Sequence, residues 1–178
     1  MENNENILEF GIKRENEERR DGGCSIVFDP ETQKYAVYRN PKSKVLCFFG
    51  GGFDDGEDEK DGSLRELVEE SGLVDYLHVE KVGKVITHYY NINKNVNRVA
   101  HASCFLVILN SKKREETKLE EHENDFEFIW ATDEEILDSL NSKNQNRDYD
   151  HWVHFLEKAV IRVKELGHNT AIATKSVL

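Results

Sequence analysis

Apolar and β-branched residues along this chain fall in short runs divided by turn formers, and each run predicts an element. Ile7 to Lys13 reads as a short strand interrupted by Gly11, and Glu15 to Gly23 as a charged connector ending in turn residues. Cys24 to Phe28 and Lys34 to Arg39 flank the turn signal Asp29-Pro30-Glu31-Thr32, which predicts a β-hairpin. Val45 to Phe49 is a continuous apolar run suited to a strand buried on both faces. Val74 to Tyr90 is strand-like with Gly83 as a candidate bulge, and Arg98 to Leu109 is the strongest strand signal, expected to return antiparallel after a polar loop. Phe126 to Trp130 alternates as a half-buried strand, whereas residues 111–125 are highly charged, aperiodic and expected to be mobile.

Three helices are expected. The first starts at Asp58 as N-cap, with Asp61 in place of a capping-box Glu, and stops at Gly72, with Leu64, Leu67, Val68 and Ser71 as its buried stripe. Gly62 inside it should cost about 1 kcal/mol relative to Ala unless backbone packs closely there. A Thr132/Glu135 capping box opens the second, through Leu140. The third covers about 148–166, with Trp152, Phe155, Leu156, Ala159, Val160 and Val163 on its apolar face. With no internal repeat, 1–178 reads as one α/β domain with a mixed β-sheet: residues 1–22 form its N-terminal strand and connector, and the tail beyond Gly167 is weakly patterned.

Composition narrows the function classes. A 33% charged share and a net charge of −11 suit a soluble protein and argue against a nucleic-acid polymer as partner, which would need a basic footprint. No apolar run reaches membrane-spanning length, the first residues lack a signal-peptide pattern, and Cys24, Cys47 and Cys104 sit in apolar runs as buried free thiols. A cytoplasmic protein is the expectation.

The stretch GGGFDDGEDEKDGSLRELVEESGL, residues 50–73, carries the chemistry. Three glycines allow backbone to approach a ligand, and their carbonyls can join a metal shell. On a helix, Glu66, Glu69 and Glu70 fall within roughly one third of the circumference, opposite Leu64, Leu67 and Val68. Glu57 lies just ahead, and Arg65 can orient one carboxylate. Crowded carboxylates repel unless a cation intervenes, and Mg2+ or Mn2+ suits an all-oxygen site that leaves room for phosphate. A generic acidic helix is most often a solvated face. The full spacing reverses that reading. Gly51, five residues, Glu57, seven residues, Arg65-Glu66-Leu67, one residue, Glu69-Glu70, one residue, Gly72-Leu73 resembles the complete Nudix box.

The resemblance implies the Nudix α/β/α sandwich and metal-assisted attack of water on phosphorus. Glu69 and Glu70 are then principal metal ligands, with Glu57, Glu66 and a carbonyl of Gly50 or Gly51, here assigned to Gly51, completing the shell. Glu66 is the family's frequent candidate for deprotonating water, and Arg65 positions a glutamate. Phe49 stands where many members have proline, which alters the approach to the glycines but no liganding position. A further acidic residue beyond the box is common in the family. Glu120, Glu121, Glu123 and Asp125 lie in that region, each individually a candidate surface charge, and Glu123 is preferred.

Tyr89, 16 residues past the box, matches a pattern in members acting on nucleoside and dinucleoside polyphosphates, although tyrosine is an ordinary strand residue. Lys94 and Arg98 flank a polar hairpin tip where they could meet phosphate or simply be solvated. His151 and His154 flank an apolar stripe and read as satisfied or solvated histidines; His88 and His101 suit either core or pocket. The expected activity is hydrolysis of a phosphoanhydride in a nucleoside diphosphate linked to another moiety: a nucleoside triphosphate, a dinucleoside polyphosphate or an ADP-ribose-like compound. The rivals are a non-catalytic nucleotide sensor, which retention of every box carboxylate disfavours, and isoprenoid diphosphate isomerisation, for which no residue speaks. A homodimer is an assembly the resemblance allows.

Overall fold

The computed structural model describes residues 7–169. Nine strands form one mixed sheet: β1 (Glu9–Gly11), β2 (Glu18–Arg19), β3 (Gly22–Asp29), β4 (Lys34–Arg39), β5 (Leu46–Cys47), β6 (Phe49–Gly52), β7 (Tyr76–Asn91), β8 (Val96–Leu109) and β9 (Glu127–Ala131). The helices are α1 (Glu59–Ser71), α2 (Asp133–Ser142) and α3 (Asp150–Glu165). The main path runs β1-β7-β8-β3-β4-β5, with β2 added to β8, β6 to β3 and β9 to β4. β7 and β8 are antiparallel over nearly their whole length, while β8 and β3 run parallel. The register of β7 slips between Lys81 and Gly83, where the glycine was expected to mark a bulge.

β3 and β8 form the centre. Ile26, Val27 and Phe28 on one, and Leu106, Val107 and Ile108 on the other, are buried at consecutive positions. Since neighbours on a strand point to opposite faces, both sides of this part of the sheet must be covered. One cover is α1: the Ser25 hydroxyl donates to the Ser63 carbonyl at 3.2 Å. On the other face Phe28 meets His168, just past α3, at a centroid distance of 5.6 Å. Phe155 of α3 packs over Gly83, whose pleat position pairs with Cys104. The three cysteines are buried free thiols.

Three expectations are corrected. The supposed connector 15–23 contains β2, which runs parallel to β8, and the start of β3. The apolar run Val45–Phe49 is divided between two strands. Leu46 and Cys47 pair with β4, whereas Phe49 begins β6, which continues through all three glycines and pairs with β3. The glycines are therefore strand rather than loop. β3 changes partner along its edge, taking β6 at residues 22–25 and β4 at residues 27–29. The sheet parts there. The charged segment after β8 is also ordered, pinned to the end of α1 by Glu115 N–H to Gly72 O, Lys118 N–H to Glu69 O and Arg114 Nε–H to Ser71 O, each 2.7 Å. A helix leaves its last carbonyls without internal partners, and this strap supplies them. The reading of the tail beyond residue 169 lies outside the described residues.

Asp29 shows why the first hairpin was legible. Its buried carboxylate accepts from Glu31 N–H, Thr32 N–H and the Thr32 hydroxyl (3.2, 3.3 and 2.6 Å) and pairs with Lys112 at 3.0 Å. Burial alone would raise its pKa, but these donors hold it below the ordinary value. Because the folded-state pKa is depressed, the stabilisation is present above the unfolded pKa, near 4, and fades as pH falls below it. Asp29→Asn should cost about 1–2 kcal/mol at pH 7. Urea denaturation should show the gap from wild type narrowing as the pH is taken below about 4.

Candidate active site

Helix α1 brings the acidic residues together and its own capping sets their height. The Asp58 carboxylate accepts from Lys60 N–H and Asp61 N–H at 2.9 and 3.2 Å, without a reciprocal bond from Asp61. Gly72 closes the other end in the left-handed region, at φ 75°. The buried stripe differs from the expected one: Gly62, Ser63, Leu67, Glu70 and Ser71 are buried, while Leu64 and Val68 are only half-buried. Glu70 thus shares a flank with Leu67 instead of standing opposite it, because positions three apart are neighbours on a helix.

Arg65 binds the cluster. Its Nε and Nη2 bond the two oxygens of Glu57 at 2.7 and 3.0 Å, and Nη2 also reaches Gly52 O at 3.2 Å. Nη1 donates to Glu66 Oε1 at 2.9 Å and Glu69 Oε2 at 3.1 Å. All five guanidinium donors are engaged. Arg65 therefore orients three glutamates, where one was expected. Beside it the Glu57 carboxyl is held down at about 2, chiefly by Arg65 and then by Asp54 N–H.

Glu57 reaches this position by folding over the start of α1. A Cβ on Gly62 would lie 2.6 Å from the Phe53 ring and 2.8 Å from Glu57 Oε2. The glycine makes room for the returning loop, not for the sheet. Similarly, a Cβ on Gly51 would strike the Glu66 carboxylate at 2.5–2.6 Å, so β6 and the carboxylates are in direct contact.

Glu70 is the buried member, only 8% exposed, and accepts from Gly50 N–H at 2.8 Å. Burial drives its pKa well up, and the facing Glu123 charge pushes the same way. Glu66 is raised as well, first by burial and then, against Arg65, by Glu69 and Glu123. Glu123 arrives on a short 3-10 turn, Glu121–Glu123, closed by reciprocal bonds between Glu120 and Glu123. His122 stands between those two residues, 3.2 Å from Glu120 and 3.7 Å from Glu123. Of the four candidates in this segment, Glu123 is the one buried against Glu70; Glu120, Glu121 and Asp125 are exposed.

These residues face a cavity of about 650 Å³ at the parting of the sheet. Gly51, Glu66, Glu69, Glu70 and Glu123 line it, as do Tyr89, Lys94 and Arg98. Glu57 stands behind, reached through Arg65. Lys94 is paired with Glu120 at 2.7 Å and Arg98 with Glu18 at 2.8 Å. Burial raises the Tyr89 phenol, and the charges of Arg98 and Arg20 oppose that rise. His151 also lines the cavity, bonded to the Thr87 hydroxyl at 3.0 Å; burial lowers its pKa to about 3, so the ring is neutral at pH 7. His88 is buried between Glu9 and Glu17, at 2.7 and 2.9 Å, and belongs to the N-terminal packing. Sequence reasoning missed Trp152 and Tyr149 as wall residues, since helical periodicity reports burial without telling core from cavity.

A family model for the NUDIX domain matches residues 18–154. The chain belongs to the Nudix family. Nudix hydrolase 25 of Arabidopsis thaliana is 32% identical over 101 residues, a match covering 49% of this chain and 58% of that protein's length. Two solved structures share the fold: the NUDIX domain of Shewanella oneidensis NrtR in complex with ADP ribose (TM-score 0.56, 15% identity, 83% of this chain and 90% of that one) and the C. elegans Ap4A hydrolase (TM-score 0.53, 13% identity, 82% and 99%). The Nudix fold accounts for the mixed sheet with helices packed on it, and the box residues occupy α1 and β6 as described.

Two substitutions probe this assembly. Gly62→Ala raises helix propensity by about 1 kcal/mol, yet should lower the melting temperature, because Phe53 and Glu57 must yield to the new methyl. Arg65→Lys keeps the charge and loses the fork. Urea denaturation should show a loss of about 1–3 kcal/mol at pH 7, the usual effect of losing hydrogen bonds between charged groups.

Proposed function

We propose that this Nudix protein is a metal-dependent hydrolase that cleaves a phosphoanhydride within a nucleoside diphosphate linked to another moiety. The observation that supports the reading is the paired burial of Glu70 and Glu123 beside the Arg65-bound Glu66 and Glu69, all four against one cavity. Like charges brought this close in a dry site cost free energy unless a cation or proton joins them. Glu69 and Glu70 also occupy the last turn of α1, where the helix dipole is negative and no basic residue lies within the helix turn.

The donors are carboxylate oxygens, with a glycine carbonyl of β6 alongside, a set that fits Mg2+ or Mn2+ rather than a soft metal. Glu69 and Glu70 would hold the ion, with Glu66 and Glu123 completing the shell and Glu57 tuning the cluster through Arg65. The bound cation supplies charge neutralisation on the phosphate and leaving oxygens. The proton of the attacking water passes to a single carboxylate, for which Glu66 and Glu123 are the two candidates. Arg65 acts through the glutamates it orients. Tyr89, Lys94 and Arg98 form the substrate wall, with Lys94 and Arg98 exchanging their present carboxylate partners for phosphate. Nucleoside triphosphates, dinucleoside polyphosphates and ADP-ribose-like compounds are the classes to be compared.

A panel of these substrates with Mg2+ and product analysis tests the activity, and Glu69→Gln and Glu70→Gln test the mechanism. On the best substrate each should lower kcat by at least about two orders of magnitude. Wild-type turnover in both variants would overturn the mechanism. Tight nucleotide binding with metal and no product would instead establish a sensor.

A further inference from the structure

Arg20 lies between β2 and β3, in the segment that the sequence presents as a connector, and it lines the cavity. Among the described residues its guanidinium has neither a hydrogen bond nor an ion pair. Every other arginine is engaged, Arg114 through Ser71 O and the Phe128 ring and the rest with carboxylates. In a chain with 35 acidic and 24 basic residues, an arginine left over at an acidic cavity calls for a physical account.

The surroundings give one. A Cβ on Gly52 would lie 2.2 Å from Arg20 Nε, 2.6 Å from Cζ and 2.7 Å from Nη2, so the guanidinium rests on the bare α-carbon of that glycine. Its backbone is fixed by Arg20 N–H to Val99 O at 3.0 Å. Arg20 shares the cavity lining with Glu66, Glu69 and Tyr89, and its charge is felt at both Glu57 and Tyr89. Glu57 already accepts two bonds from Arg65 and one from Asp54 N–H, and it makes no hydrogen bond to Arg20. A planar donor fork is thus held over the cavity with no protein acceptor. Lys94 and Arg98, by contrast, must each give up a carboxylate before they can bind phosphate.

We propose that Arg20 is a specificity-determining residue that holds a non-reacting phosphate of the substrate, so that the protein selects compounds extending a phosphate from the metal centre toward Tyr89. This rests on the hydrolase reading above. Because the contact is made equally in the ground and transition states, it should govern KM and leave kcat nearly alone. The alternative role is packing against Gly52, which would move thermal stability and leave binding unchanged.

Arg20→Gln, Arg20→Lys and Arg19→Gln should be compared with wild type. Arg19 is exposed, bonds Asp21 and does not line the cavity, so Arg19→Gln is the matched control for lost charge. Arg20→Gln should raise KM about 10- to 100-fold with kcat within about threefold, the range for losing a charged hydrogen-bonding group. Calorimetric affinity for inorganic tripolyphosphate in the presence of Mg2+ should fall by a similar factor, with Mn2+ affinity of the free protein unchanged. Arg20→Lys should recover part of the loss and Arg19→Gln should match wild type. Unchanged KM and tripolyphosphate affinity in Arg20→Gln, equal losses in Arg19→Gln, or no tripolyphosphate binding by wild type would each overturn the proposal. The binding arm needs no turnover: a protein that binds tripolyphosphate through Arg20 and hydrolyses nothing defeats the hydrolase reading and keeps this one.

Discussion

Everything in this site depends on keeping several negative charges near one another in a folded chain. Coulomb repulsion between carboxylates a few ångströms apart is modest in water and grows steeply as water is excluded. Arg65 answers it with one planar cation shared among Glu57, Glu66 and Glu69. A lysine could not do so, because a point charge does not address three carboxylates in fixed directions. Glu70 lies beyond that reach. Its relief comes from the Gly50 amide, while burial and the facing Glu123 charge raise its pKa.

The backbone is shaped to this constraint. β6 must run close enough for Gly50 N–H to meet Glu70 and for the α-carbon of Gly51 to touch Glu66, which only side-chain-free positions allow. That strand in turn displaces β4 from the first half of β3, and the sheet divides. The cavity is the result of that division. The cavity and the carboxylate cluster therefore share a single origin in the pairing of β3.

The sequence made the repeating parts legible. A capping box exposed α2, the 3.6-residue period exposed α3, turn chemistry exposed the hairpin at Asp29, and the box spacing exposed Arg65 and its glutamates. What stayed hidden was tertiary. Nothing local says that Val45 to Phe49 must divide between two partners, since an apolar run reads the same whichever edge it joins. Glu123 could be preferred but not distinguished from Glu120 or Asp125, because burial of an acid depends on what the turn docks against. Arg20 looked like connector charge; only the glycine beneath it and the lack of a bonded carboxylate make its position unusual.

The strap from Arg114 to Lys118 has a consequence for how the chain can vary. Surface segments between strands ordinarily accept added or deleted residues cheaply. This one is anchored at the end of α1 by three bonds and then delivers Glu123 to Glu70. It works as a spacer of set length, a ruler between the two halves of the acidic pair. Change in length here would leave the sheet intact and move one carboxylate away from the other. A region that looks like dispensable, charge-rich filler is thus constrained in length.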